Sequence, residues 1–272
     1  MARQINKDTT LCMSLAARPG NFGTRFHNYL YGAMDLDFLY KAFTTTDLPA
    51  AIGGVRALGV RGCAVSMPFK EDCIALVDEM DASAKAIDSV NTIVNTNGWL
   101  KAYNTDYLAI RQLLAEHQVR KDLAFALRGS GGMAKAVACA LKDAGFQRGT
   151  IVARNETKGR ALADLYGFAW QAEMDGLQAD LLINVTPIGM AGGAEEHGLA
   201  FSEDAVRSAQ LVFDVVALPV ETPLIRYARA QGKKTITGAD VFAIQAVEQF
   251  VLYTGVRPTD TLFQKAARFA RG

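Results

Sequence analysis

The sequence predicts an α/β protein built as two α/β domains. Three observations carry that reading. The chain has 272 residues, and at ~150 residues per domain that suggests two. Short apolar runs alternate with helix-length segments from end to end, the rhythm of parallel or mixed sheets. A second such series opens near Leu123 with a glycine-rich turn between a strand and a helix.

The elements follow in order. Leu11–Leu15 reads as a strand, Phe22–Tyr31 as a helix and Phe38–Phe43 as a strand. Leu48–Leu58 reads as a helix stopped by Gly59, and Gly62–Ser66 as a further strand. Val90–Val94 and Trp99–Tyr103 flank Asn97-Gly98, the dipeptide that supplies the positive φ values of a two-residue hairpin turn. Thr105–His117 reads as a helix connecting the two domains. The second series is Leu123–Leu127 (strand), Met133–Ala144 (helix, ended by Gly145), Thr150–Ala153, Leu181–Asn184 and Leu211–Val216 (strands). Thr222–Ala230 (helix) and Thr235–Ile236 (strand) follow, then the helices Ala239–Tyr253 and Thr259–Arg271. The expected division is 1–104 and 105–238, with the C-terminal stretch of about 239–272 packing back on the first domain.

Composition excludes several classes. Half the residues are hydrophobic, 21% are charged and the net charge is +1, which points away from a nucleic acid or a polybasic membrane partner. No apolar run reaches the ~18 residues needed to span a bilayer. The N-terminal Met1-Ala2-Arg3-Gln4-Ile5-Asn6-Lys7-Asp8 lacks the apolar core of a signal peptide. A soluble, cytoplasmic protein is therefore expected, monomer or homodimer, with a small molecule as its partner. Cys12, Cys63, Cys73 and Cys139 match no metal or redox spacing and read as reduced structural thiols. His27, His117 and His197 are too scattered for zinc, so no metal is expected.

The glycine-rich turn is Gly129-Ser130-Gly131-Gly132-Met133-Ala134, a G-x-G-x-x-A at the exit of a strand. Gly129 permits the tight turn and Gly131 lets a pyrophosphate approach the backbone. Ala134 keeps the helix close to the strand, and the N-terminus of that helix offers free N–H groups to phosphate. At the end of the next strand, where an NAD-preferring Rossmann domain places an acid, stands Arg154, with Lys158 nearby. A guanidinium suits a phosphate dianion, so NADP is favoured as cofactor. The plain alternative is a solvated basic pair at a helix start, and Glu156 is placed to capture Arg154.

The first half carries three polar motifs: Ser66-Met67-Pro68-Phe69-Lys70-Glu71, Ser89-Val90-Asn91-Thr92 and Asn104-Thr105-Asp106. Taken singly, Lys70 is a surface lysine, Asn91 a turn residue and Asp106 a helix N-terminal acid. Taken together and in order, they resemble the three signature motifs of the shikimate dehydrogenase family. The glycine turn resembles that family's nucleotide loop, Arg154 its 2′-phosphate arginine, and Asn184–Met190, with Thr186, its loop near the nicotinamide. Thr222-Pro223-Leu224 and Gln245-Ala246 match its downstream motifs.

The resemblance implies a substrate-binding first domain, a Rossmann-like NADP-binding second domain and a cleft between them. It implies NADP-dependent interconversion of shikimate and 3-dehydroshikimate, a reaction of aromatic amino acid biosynthesis, with Lys70 and Asp106 assisting proton transfer. Asn91 and Gln245 would hold ring hydroxyls. A positioned ammonium suits ketone reduction, because charge develops on the oxygen.

The chain also departs from the family. Counting back from His27-Asn28, Asn21 and Gly23 occupy the positions of two serines that grip the substrate carboxylate, and Thr24 that of a proline. Ser14 substitutes only if this loop is reshaped. Ala217 stands where the family has a tyrosine, while Ser66 preserves a hydroxyl. These changes mark a divergent, shikimate dehydrogenase-like protein acting on shikimate slowly or on a close cyclic hydroxy acid. Quinate or an amino-substituted ring is the variant reading, and a nucleotide-binding regulatory protein with little catalysis the reading from another class.

Overall fold

The structure is a computed structural model and describes residues 5–272; Met1 to Gln4 of the N-terminal segment lie outside the described residues. The chain divides into two compact units. One comprises residues 1–108 and 243–272, the other 109–242.

The first unit opens with β1 (Thr10–Leu15), α1 (Phe22–Ala33), β2 (Phe38–Phe43), α2 (Leu48–Ala57) and β3 (Gly62–Val65). A 3-10 turn at Asp72–Leu76 leads to β4 (Glu79–Met80), α3 (Ala82–Lys85), β5 (Thr92–Thr96), β6 (Trp99–Tyr103) and α4 (Thr105–Glu116). Six strands form one mixed sheet in the order β2-β1-β3-β5-β6-β4. β1 pairs in parallel with β2 and β3, whereas β5 runs antiparallel to β3 and β6. The β5–β6 hairpin closes on Asn97 and Gly98, both at positive φ (54° and 88°). So tight a turn lets pairing run out to Thr96 opposite Trp99, two residues beyond the expected end of that strand. The pairing starts at Thr92, because Val90 N–H is already spent on the carbonyl of Lys70. Asn28 ties α1 to the sheet: its side chain donates to the carbonyls of Thr24 and Tyr40 and accepts from Tyr40 N–H.

The second unit holds β7 (Phe125–Arg128), α5 (Gly132–Asp143), β8 (Gly149–Val152), α6 (Glu156–Tyr166), β9 (Ala169–Gln171) and β10 (Leu181–Asn184). It continues with α7 (Glu203–Ser208), β11 (Leu211–Asp214), α8 (Pro223–Ala230) and β12 (Lys234–Thr237). The strand order is β12-β11-β10-β7-β8-β9, every pair parallel. That is a doubly wound sheet whose order reverses between β7 and β10, the place where such sheets bind ligands. Leu181–Asn184 and Leu211–Asp214 are buried throughout, as expected of parallel strands covered on both faces.

Several strand ends differ by one or two residues from the sequence expectation, and side-chain carboxylates set two of them. β7 begins at Phe125, because Ala124 N–H is taken by the Asp180 carboxylate. β11 stops at Asp214, whose own carboxylate then accepts Val216 N–H. The helices α3 and α7 and the short strands β4 and β9 were not foreseen, and α6 was foreseen only as the helix start in the alternative reading of Arg154 and Lys158.

The chain then passes into α9 (Gly238–Thr254) and α10 (Asp260–Arg271). From Ala243 onward it belongs to the first unit. Ala266, Ala267 and Ala270 of α10 and Phe250 and Tyr253 of α9 complete a core with Cys12, Phe26, Leu30, Tyr31 and Tyr40. A Cβ on Gly62 would fall 2.2 Å from the Tyr253 ring, so only glycine admits this helix against β3. All four cysteines are free and buried. No described helix is long and apolar enough to cross a membrane.

Candidate active site

Three local structures bring polar residues together in the first unit. Lys70 follows β3 on a turn in which Phe69 N–H bonds the Ser66 carbonyl, and Lys70's own carbonyl accepts from Val90. Asn104 caps α4, its Oδ1 accepting Tyr107 N–H at 3.1 Å while its amide donates to the Ser89 carbonyl. The cap sets Thr105 and Asp106 in the first helical turn. Lys70 Nζ and Asp106 Oδ2 meet at 2.6 Å, though 36 residues separate them in sequence. Both side chains are largely covered (23% and 10% exposed), so the pair is shielded more than a surface salt bridge and is a charge-assisted hydrogen bond of the short kind.

Asn91, one residue beyond Val90, is buried. Its Oδ1 accepts from Thr105 N–H and from the Thr92 hydroxyl, both at 2.8 Å. Its Nδ2 is buried with no partner among the described residues. The Thr105 hydroxyl lies 3.3 Å from Gln245 Oε1, which brings α9 into the cluster. Gln249, one turn further along α9, donates to the Thr92 hydroxyl and to the Asn91 carbonyl. A buried donor without an acceptor costs free energy, and Asn91 Nδ2 is such a donor in this otherwise paired network.

Asn21 and Ser66 are exposed, and their side chains make no hydrogen bond among the described residues. Asn21 stands at the N-terminus of α1, and Ser66 directly after β3. A Cβ on Gly23 would press against the Tyr40 ring at 3.4 Å. His27 is wholly buried, stacked 4.3 Å from the Tyr40 ring. Burial, only partly offset by the Gln249 side chain, pushes its pKa down to about 3.

In the second unit the glycine turn follows β7. Gly129 has φ +126°, and a Cβ there would fall 2.7 Å from the Val185 side chain. Gly131 and Gly132 face open space, and α5 starts at Gly132 with no side-chain cap. Met133 follows in the first turn, and Ala134 is fully buried against the sheet. A pocket of about 280 Å³ lies here, lined by Gly129, Ser130, Arg154, Asn155 and Thr186 among others. Arg154 and Lys158 are exposed. Glu156 does not capture Arg154: it pairs with Arg160 one helical turn on, at 2.8 Å, the i,i+4 geometry that α6 favours.

Asn184 orders the other wall. Its Oδ1 accepts from the backbone and hydroxyl of Thr186, and its amide donates to Asp214 at 3.0 Å. Asp214 also accepts from the Thr222 hydroxyl at 2.6 Å. Burial pushes this carboxyl up to about 6, with Thr222, Val216 and Asn184 pulling the other way.

Residues 22–93 match the shikimate dehydrogenase substrate binding domain. A shikimate dehydrogenase-like protein of Haemophilus influenzae is 60% identical over 98% of this chain and 98% of its own length. The NADP(+) shikimate dehydrogenase of Caldanaerobacter subterraneus is 34% identical, covering 84% of this chain and 85% of its own. The chain belongs to the shikimate dehydrogenase family. A crystal structure of the Thermus thermophilus shikimate 5-dehydrogenase in complex with NADP(H) and shikimate superposes with a TM-score of 0.86. It is 27% identical and covers 96% of this chain and 99% of that one.

Within this shikimate dehydrogenase fold, sequence reading singled out Lys70, Asp106, Asn91 and Gln245, and the structure brings these four into one cluster. It missed Gln249 and the hydroxyls of Thr92 and Thr105. Gln249 had a signal: it is four residues beyond Gln245, on the same helical face.

Proposed function

We propose that this chain is an NADP-dependent oxidoreductase interconverting shikimate and 3-dehydroshikimate, or a close cyclic hydroxy acid. The observation that carries the reading is the 2.6 Å Lys70–Asp106 pair, adjoining a buried amide donor that lacks an acceptor. The family relationship supports it.

The second unit's residues fit NADP. The open space at Gly131 and Gly132 leaves backbone free for a pyrophosphate at the start of α5. Arg154 engages no partner among the described residues, so its guanidinium is available for a 2′-phosphate. When bound, NADPH supplies the hydride. Lys70 donates a hydrogen bond to the ketone oxygen and passes it a proton as charge develops there. Asp106 holds the ammonium in place and keeps it from wandering into solvent. Asn91 Nδ2 donates to a ring hydroxyl, and Gln245 takes a second. The exposed side chains of Asn21 and Ser66 offer neutral donors to the carboxylate.

That last contact sets the preference among substrates. Asn21 and Gly23 replace two hydroxyls, and Ala217 removes a third. Each unsatisfied partner costs ~1–3 kcal/mol, a ten- to hundredfold loss of binding. Slow turnover of shikimate, or preference for an analogue with a different substituent pattern, follows.

The test is to incubate the protein with NADP and a panel of shikimate, quinate and amino-substituted analogues, following NADPH absorbance. Formation of NADPH with one of these supports the reading and ranks the ring substituents. Intact NADPH binding with no turnover across the panel would reject it in favour of a regulatory nucleotide-binding protein.

A further inference from the structure

The pocket at the glycine turn contains a charge that the nucleotide motif does not account for. Arg128 ends β7, directly before Gly129. Phe125, Ala126 and Leu127 ahead of it are buried apolar residues, as a central parallel strand requires. Arg128 therefore carries a guanidinium at the carboxyl end of the strand beside the point where the sheet order reverses, 25% exposed. It lines the same pocket as Arg154 and Ser130. One Nη donates to the carbonyl of Ala200. The other lies 3.6 Å from the carboxylate of Glu173, which also lines the pocket.

The geometry of that ion pair is weak. At 3.6 Å it is beyond hydrogen-bonding distance, and the Glu173 side chain is half exposed, so water screens it. The Ala200 carbonyl aims the guanidinium but cannot neutralise it. A phosphate dianion entering the pocket brings more charge than a carboxylate and accepts paired N–H bonds at close range. Glu173 follows β9, and β9 lies beyond β8, whose end leads into Arg154. Arg128 thus reaches toward the side of the pocket where Arg154 stands, while backbone N–H groups of the turn serve the pyrophosphate.

We propose that Arg128 is a second cationic contact for the ribose phosphate of the bound dinucleotide, with Glu173 as its counter-ion until the nucleotide arrives. The inference rests on the reading of this pocket as an NADP site and deepens it: two arginines select the phosphorylated dinucleotide, and a displaceable carboxylate tempers its affinity.

The experiment is fluorescence titration of NADPH and NADH against the full chain, the variants Arg128→Leu and Glu173→Gln, and the double variant. Arg128→Leu should weaken NADPH about tenfold and alter NADH far less. Glu173→Gln, at a half-exposed position that leaves folding intact, should tighten NADPH a few-fold, and the gain should vanish in the double variant. Equal weakening of both nucleotides by Arg128→Leu, or no change in either, overturns the role of Arg128. No gain in Glu173→Gln, or a gain that persists in the double variant, overturns Glu173 as its counter-ion. Absence of saturable NADPH binding by the unaltered chain would instead sink the NADP reading itself, and this inference with it.

Discussion

The backbone N–H of Thr105 donates to Asn91 Oδ1 at 2.8 Å, and that single bond fixes which way the Asn91 amide faces. A backbone N–H can only donate, so the oxygen must lie toward it. The nitrogen is thereby turned to the side where it has no partner.

Replacing that nitrogen alone is informative. Asn91→Asp keeps the acceptor for Thr105 and Thr92 and deletes the donor. KM for the ring substrate should rise ~10–100-fold. Asn91→Ala should raise KM similarly and also lower the melting temperature further than Asn91→Asp, because Thr105 N–H then loses its acceptor. A KM for Asn91→Asp near that of the unaltered chain would remove Asn91 from substrate binding.

Lys70→Ala should lower kcat by ~10²–10⁴ while NADPH affinity stays unchanged, since Lys70 belongs to the first unit and the glycine turn to the second. The comparison needs steady-state rates and a fluorescence titration on the same preparation. Parallel loss of both would make Lys70 a scaffold residue.

The glycine turn permits a paired test. A Cβ at Gly131 meets nothing within 4 Å, whereas one at Gly129 strikes Val185 and needs φ +126°. Gly131→Ala should therefore leave the melting temperature within a few degrees and weaken dinucleotide binding by tenfold or more, roughly one lost close approach of phosphate to backbone. Gly129→Ala should lower the melting temperature itself. Full nucleotide affinity in Gly131→Ala would mean that the open space is not ligand space.

The two units should answer acid in opposite directions. Folded His27 stays neutral down to about 3, while the unfolded imidazole protonates near 6.5. Between these values the unfolded chain binds more protons, and the first unit loses stability as pH falls below about 6.5, at ~1.4 kcal/mol per pH unit. Asp214 protonates near 6 when folded and near 3.9 when unfolded. Its contribution is the reverse: the second unit gains stability as pH falls from about 6 to about 4. Calorimetry at pH 7 and pH 4.5 should show the first unit's transition moving down relative to the second. His27→Phe should abolish the first slope and Asp214→Asn the second. A slope unaltered in its variant would show that the named residue is not its source.

Much of this fold was legible because its signals are local. Asn97-Gly98 announces a hairpin, and Gly59, Gly145 and Thr222 mark helix ends whatever surrounds them. What escaped reading depends on distant partners. β9 is only three residues long and is recruited to the sheet by β8. The start of β7 is set by Asp180, more than fifty residues away in the chain. The Lys70–Asp106 contact was beyond any spacing argument, because it is made by a turn, a cap and a hairpin acting together; only the order of motifs hinted at it. Arg128 passed unnoticed since the glycine pattern that follows it is indifferent to its side chain.

The first unit is assembled from two stretches of chain separated by 134 residues of the other, Ala109–Phe242. Its core waits for Phe250, Tyr253 and the alanines of α10, which leave the ribosome only after the whole of the second unit. The second unit, being continuous, can close while the chain is still being made, reversing the usual N-terminal-first order of domain folding. The Lys70–Asp106 half of the protein is thus completed after the nucleotide half. A chain shortened before α10 would keep its glycine turn but strip Phe263 from Phe26 and Phe269 from Tyr29.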